Sequence, residues 1–167
     1  MKKLEQIILY LKENKLILTT AESCTAGRII ALLANISGSG ECLDAGYVVY
    51  SVEAKKRLLG VQQQTIEKFT LTSEEVAQEM AIGALHDSIA TVVTATTGIT
   101  GTELMDGIAP GTICFAWGFK YRKKFIIYTE TKRFRGNRAR IQTAAAKHAL
   151  LNIELFHKKF CNSPDYV

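Results

Sequence analysis

No apolar stretch in this chain approaches the roughly 20 residues that a membrane span needs, so a spanning helix is not expected. Met1-Lys2-Lys3 has the basic start of an export signal, but Glu5, Gln6, Lys12 and Glu13 interrupt the apolar segment that should follow. Cysteine is scarce and scattered, at positions 24, 42, 114 and 161, with no Cys-x-x-Cys pair and no histidine at zinc-finger spacing. Neither a metal site nor a disulfide framework is indicated, and a reducing cytoplasm is the natural home. Internal repeats and low-complexity segments are also missing. A Walker sequence is absent, and no G-x-G-x-x-G follows a strand, which removes the common phosphate-loop readings.

What remains is the composition of an ordinary globular protein: 167 residues, 47% apolar and 22% charged, enough for one domain with a true core. The net charge of +5 is local, concentrated in Lys120–Lys124 and Lys132–Arg140. No homeodomain, zinc-finger or RNA-recognition motif accompanies it. A nucleic-acid partner is therefore not indicated, and a small phosphorylated ligand fits the charge equally well.

Apolar periodicity predicts an amphipathic helix over 3–13, a strand over 16–20 and a helix from Cys24 to Ala34 that stops before Ser37-Gly38-Ser39-Gly40. Residues 45–50 read as a strand leading into a short helix over 53–59, closed by Gly60. Thr72-Ser73-Glu74-Glu75 carries the capping-box pattern ahead of a helix that reaches about Ile89. A strand over 90–96, a loop over 97–101, a hairpin of strands 111–119 and 125–131, and one long helix over 136–156 complete the chain. This alternation implies a single α/β domain over residues 1–160, a layered sandwich with a mixed sheet flanked by helices, and a frayed tail over 161–167.

Ligand sites in such sheets lie beyond the carboxyl ends of strands, which selects the loops Glu22–Thr25, Tyr50–Lys55 and Thr97–Gly101. The first offers Ser23, a hydroxyl at a strand-to-helix turn where backbone N–H groups are unpaired. Its usual base would be histidine, but His86, His148 and His157 all fall on helices away from these loops. The alternative is lysine, and Lys55 is the candidate, since burial and a helix amino terminus both disfavour its charge; the bland reading makes Lys55 a solvated cation. Tyr50, five residues earlier, is placed to relay a proton or position the lysine, or simply to pack. Cys24 ranks below Ser23 as a nucleophile, and Glu22 either orients the serine loop or caps it.

Together T-A-E-S-C-T-A-G at 20–27, Y-S-V-E-A-K at 50–55, E-M-A-I-G-A at 79–84, T-G-I at 97–99 and P-G-T at 110–112 resemble the CinA carboxy-terminal-domain family. That family comprises the nicotinamide mononucleotide deamidases. The resemblance implies hydrolysis of the nucleotide's carboxamide to nicotinic acid mononucleotide and ammonia, with no metal or other cofactor. It implies Ser23 as nucleophile, Lys55 as its base and Tyr50 as an assisting group. Glu22, Cys24 and Thr25 beside the serine, with Thr97, Gly98 and Arg138, would bind or orient the substrate, and the chain would form a homodimer or larger homo-oligomer.

The chain departs from that family's pattern in the substrate-binding part. Gly98-Ile99-Thr100-Gly101-Thr102 stands for the usual G-x-A-G-P, so Thr100 and Thr102 replace alanine and proline. Glu103-Leu104-Met105-Asp106-Gly107 occupies the place of a glycine-rich stretch, Asn137 replaces the aspartate of G-D-R, and Gln142 stands where a second arginine usually follows. Ala26 and Val52 replace a glycine and an asparagine. A non-catalytic paralogue that binds a nucleotide or another protein is the competing expectation.

Overall fold

The computed structural model describes residues 2–122 and 124–163. Its centre is a five-stranded sheet built from β1 (Leu18–Glu22), β2 (Leu43–Val48), β3 (Val92–Gly98), β4 (Thr112–Tyr121) and β5 (Lys124–Arg133), in the order β2-β1-β3-β4-β5. The first three run parallel, while β4 and β5 are antiparallel, which makes the expected mixed sheet. Successive side chains point to opposite faces, and the central strands are buried on both, including Thr19, Thr20, Thr94 and Thr96. Phe115, Trp117 and Phe119 go to one layer, whereas Cys114 and Ala116 go to the other.

On the first face lie α1 (Lys2–Glu13), α2 (Arg28–Ala34), α6 (Arg138–Leu151) and α7 (Ile153–Cys161). The aromatic cluster at the sheet is pinned there by Trp117 Nε1, which donates to the Ala149 carbonyl at 2.7 Å. The opposite face carries α3 (Val52–Leu59) and α5 (Glu74–Asp87), with α4 (Gln63–Phe69) against α5. Small residues dominate that layer, and α5 approaches closely. A Cβ on Gly83 of α5 would lie 2.0 Å from the Leu59 carbonyl oxygen, so α3 docks where a side chain is missing. Among the described residues no helix is long and apolar enough to cross a membrane.

Serine and asparagine caps set several boundaries. Ser51 accepts from Ala54 N, Ser73 from Val76 N and Asn137 from Arg140 N, each satisfying a first-turn N–H with no intrahelical partner. Several boundaries differ from the sequence expectation. β2 is Leu43–Val48 rather than 45–50, and the hairpin strands run longer than 111–119 and 125–131. β3 is Val92–Gly98 rather than 90–96, because Thr97 and Gly98, expected in the loop, still pair with Cys114 and Ile113. The first strand ends at Glu22 rather than Thr20, because Leu16 N is still tied to the Leu11 carbonyl and pairing begins at Leu18. The second helix begins at Arg28, four residues later than its periodicity suggests, because Ala26 and Gly27 are both left-handed, with φ of 52° and 85°. The long last helix is broken at Asn152, whose Nδ2 takes the His148 carbonyl at 2.8 Å and competes with helical bonding. The seven-residue α4 has no buried residue, and hence no apolar stripe to read.

Cys161 is the last residue of α7, followed by Asn162 as its cap. Of the tail expected to fray, residues 164–167 lie outside the described residues.

Candidate active site

The carboxyl ends of β1, β2 and β3 lie side by side, with Glu22 opposite Val48 on one flank and Thr96 on the other. The three loops that leave them are the loops selected from the sequence, and they meet at a cleft of about 490 Å³, within the range of small-molecule sites. Ser23, Cys24, Tyr50, Lys55, Thr97, Gly98, Thr100 and Arg138 are in its wall.

Ser23 follows β1 directly, and its amide donates to the Thr96 carbonyl at 3.0 Å. Lys55, on the first turn of α3, is 2% exposed, and its Nζ lies 2.9 Å from Ser23 Oγ, 3.0 Å from the Val49 carbonyl and 3.3 Å from the Tyr50 carbonyl. Withdrawal from water holds the Lys55 ammonium below its ordinary value of 10.5, with the neighbouring Cys24 opposing the shift. A neutral amine has two N–H donors and one lone pair. In that form the two carbonyls would take the donors and the lone pair would face the Ser23 hydroxyl proton, whereas the ammonium donates to all three oxygens. The solvated reading of Lys55 is thereby set aside.

Tyr50 meets Lys55 through its main-chain carbonyl, while its ring is 63% exposed at the cleft mouth. Cys24 is buried, and burial pushes its thiol up to about 12, far from the thiolate a nucleophile requires. The Ser23 carbonyl accepts from Ala26 N, and across a trans peptide the Cys24 N–H points the other way. Among the described residues that N–H donates to no main-chain carbonyl.

Glu22 and Thr25, expected among the substrate-binding residues, lie beneath the cleft and not in its wall. The fully buried Glu22 carboxylate accepts from the amides of Ile29 and Ile30 at 3.0 Å each, from Thr25 Oγ1 at 2.7 Å and from Thr20 Oγ1 at 3.3 Å. A buried charge is tolerable when its oxygens are satisfied in this way, and here it also serves as the acidic cap of α2. The carboxylate thereby ties the first-turn amides of α2 to Thr25 in the turn that follows Ser23.

On the opposite wall, Thr97 Oγ1 donates to the Leu71 carbonyl at 2.8 Å and fixes the segment that brings Leu71 and Thr72 to the cleft. Gly98 has φ of 154°, and a Cβ there would lie 2.4 Å from the Thr112 carbonyl oxygen, so only glycine fits between β3 and β4. Arg138, at the start of α6, donates from Nη1 to the 95%-buried Thr100 Oγ1 at 3.3 Å. Thr100 was read only as a departure from a pattern; its hydroxyl holds the arginine over the cleft. Arg135 and Arg140 are exposed and do not reach it. The histidines also stay away: His86 packs on Phe125, His148 lies 3.3 Å from Glu130, and His157 is buried against the Tyr10 hydroxyl at 2.9 Å.

An α/β sandwich with a buried serine–lysine pair at parallel strand ends is a narrow class, and comparison with known proteins identifies it. The family model described as the CinA C-terminal domain matches residues 1–156, and the chain belongs to that family. It is 37% identical over 141 residues to protein YdeJ of Escherichia coli K12, covering 84% of this chain and 80% of that protein. It is 38% identical over 133 residues to the nicotinamide-nucleotide amidohydrolase PncC of Enterobacter agglomerans, covering 79% of each. A crystal structure of a CinA superfamily protein from Klebsiella pneumoniae superimposes with a TM-score of 0.86 at 33% identity, over 93% of this chain and 97% of that one. Other relatives are longer, and the chain spans 35% and 33% of two that are 36% and 39% identical to it.

Proposed function

We propose that the protein hydrolyses the carboxamide of nicotinamide mononucleotide to nicotinic acid mononucleotide and ammonia, with Ser23 as nucleophile. The observation that carries this reading is Lys55 Nζ, buried and 2.9 Å from Ser23 Oγ, with its charged form disfavoured. The relative named for this activity, at 38% identity, supplies the substrate.

Ser23 Oγ attacks the carboxamide carbon while its proton passes to neutral Lys55 Nζ, forming an ammonium. The Cys24 N–H faces the developing oxyanion. As the intermediate collapses, the C–N bond breaks and the Lys55 ammonium returns the proton to the leaving amine, which departs as ammonia. Water then attacks the Ser23 ester, giving one proton to Lys55. That proton restores the Ser23 hydroxyl as the acid leaves. We assign Tyr50 an assisting role at the leaving group, and Arg138 with the Thr97–Gly98 loop the phosphate and orientation of the nucleotide. In this reading the protein works in pyridine-nucleotide recycling in the cytoplasm, as a homodimer or larger homo-oligomer.

Ammonia release from nicotinamide mononucleotide, followed with and without a chelator, tests the reading. The wild-type chain is expected to turn over in both conditions, and Ser23→Ala to lose about 10³-fold or more in kcat. Turnover that survives Ser23→Ala, or disappears with the chelator, refutes it. A folded chain that binds the nucleotide without turnover is the competing paralogue.

A further inference from the structure

Gln142 lies on α6, 119 residues from Ser23 in sequence, yet its buried carboxamide reaches the serine turn. Its Nε2 donates to the Cys24 carbonyl at 3.0 Å, and its Oε1 accepts from Arg28 Nε at 3.1 Å. An arginine only donates and a carbonyl only accepts, so these two partners leave the carboxamide one orientation.

The turn it grips is under strain. Ala26 has φ of 52°, a conformation that residues with a Cβ resist, and such a geometry persists only where its surroundings over-determine it. The other anchors of the turn come from its own residues and from the strands beside it: Ser23 N to the Thr96 carbonyl, Ala26 N to Ser23, Arg28 N to Thr25, and Thr25 Oγ1 within 2.7 Å of Glu22 and 2.8 Å of Thr96 Oγ1. Gln142 adds a hold from across the α2–α6 contact. It is one helical turn beyond Arg138, so a single face of α6 carries both the cleft's cation and the clamp on the serine turn.

We propose that Gln142 is a positioning residue, which by fixing the Cys24 carbonyl aims the Cys24 N–H into the cleft and keeps Ser23 Oγ in line with Lys55. Arg28 acts behind it by fixing the carboxamide. The inference rests on Ser23 being the nucleophile, but not on the identity of the substrate. Gln142→Glu separates the two bonds, since it keeps the volume and the acceptor for Arg28 but has no donor for the Cys24 carbonyl. Gln142→Met removes both bonds at similar volume.

The test compares the full chain with Gln142→Glu, Gln142→Met and the exposed Arg28→Met. The readouts are the rate at which a fluorophosphonate labels Ser23, kcat and KM for nicotinamide mononucleotide, and the thermal midpoint. Both Gln142 variants are expected to lose about 10- to 100-fold in labelling rate and kcat, the scale of a misplaced reacting group, with KM moved less than about threefold. Arg28→Met is expected to lose about threefold in both rates by the same route. The pH inflection of kcat should stay near its wild-type position in the uncharged Gln142→Met, because the Val49 and Tyr50 carbonyls that hold Lys55 are untouched. Rates within about twofold of wild type, or a rise in KM alone, overturn the proposal, as does a wild-type Ser23 that takes no label. If Ser23 is labelled but no ammonia appears, the substrate assignment fails and the labelling ratios decide the role of Gln142. If the Gln142 variants do not fold, Arg28→Met decides it.

Discussion

The serine wall of the cleft and the wall formed by the Thr100–Ile108 loop differ in how their side chains are occupied. On the first, Ser23, Cys24 and Lys55 are all at least nine-tenths buried, and beneath them Glu22 is bonded to four donors. On the second, Met105 is 53% exposed, Glu103 faces the cleft, and the Thr100 hydroxyl is the buried polar contact that reaches Arg138. Bond formation demands groups held within tenths of an ångström, whereas choice of ligand needs only a surface that complements it. The departures from the usual pattern touch both walls: Thr100, Thr102 and residues 103–107 belong to the open one, while Ala26 and Gln142 meet at the serine turn and Val52 opens the helix that carries Lys55.

Replacing the lysine should give the largest separation between the walls. Lys55→Met is expected to lower kcat about 10²- to 10⁴-fold with KM little changed, measured by steady-state ammonia release. The pH dependence sharpens this. With the folded value of Lys55 lowered, the wild-type rate should fall as pH drops through that value, on a limb below 10.5. Stability follows the same sign, because between the folded value and 10.5 the unfolded chain binds the extra proton. The contribution is complete above 10.5 and is lost as pH falls through the folded value; urea titrations across pH should show this slope in the wild type and a flatter one in Lys55→Met.

Arg138→Met probes the open wall and should behave oppositely. KM is expected to rise about 10- to 100-fold, the worth of a charge-assisted contact to a phosphate, with kcat within about threefold. A fall in kcat with KM unchanged would break the division. The smallest effect is expected at Ala26→Gly. A left-handed alanine costs roughly 1–2 kcal/mol, and glycine's freedom in the unfolded chain offsets part of that relief. A net gain of up to about 1 kcal/mol in denaturant unfolding is expected, with little change in kcat.

The sheet was legible because its signal is local: β-branched runs at 45–50 and 90–96, and the hairpin, each declare themselves within a few residues. The Ser73 cap was equally local. The Ser23–Lys55 pair was legible indirectly, because the rule that sites lie at strand ends joins two loops whose contact no spacing reveals. Gln142 could be seen only as a missing arginine, since its contact with Cys24 depends on how α6 packs against α2. The break at Asn152 was hidden because helical periodicity continues through it from Leu150 to Phe156. Glu22 was visible as a neighbour of the serine, but the direction of its carboxylate is a property of the strand's pleat and of the delayed start of α2.

The close seating of α3 on Gly83 has a consequence outside chemistry. Lys55 rides on an eight-residue helix whose resting place is a notch in another helix, so an added methyl at position 83 would push the lysine's platform outward. Selection for the reaction should therefore leave its mark at a position that never meets a ligand. In a library of random variants screened only for turnover, residue 83 should remain glycine while exposed residues of the same helix vary freely.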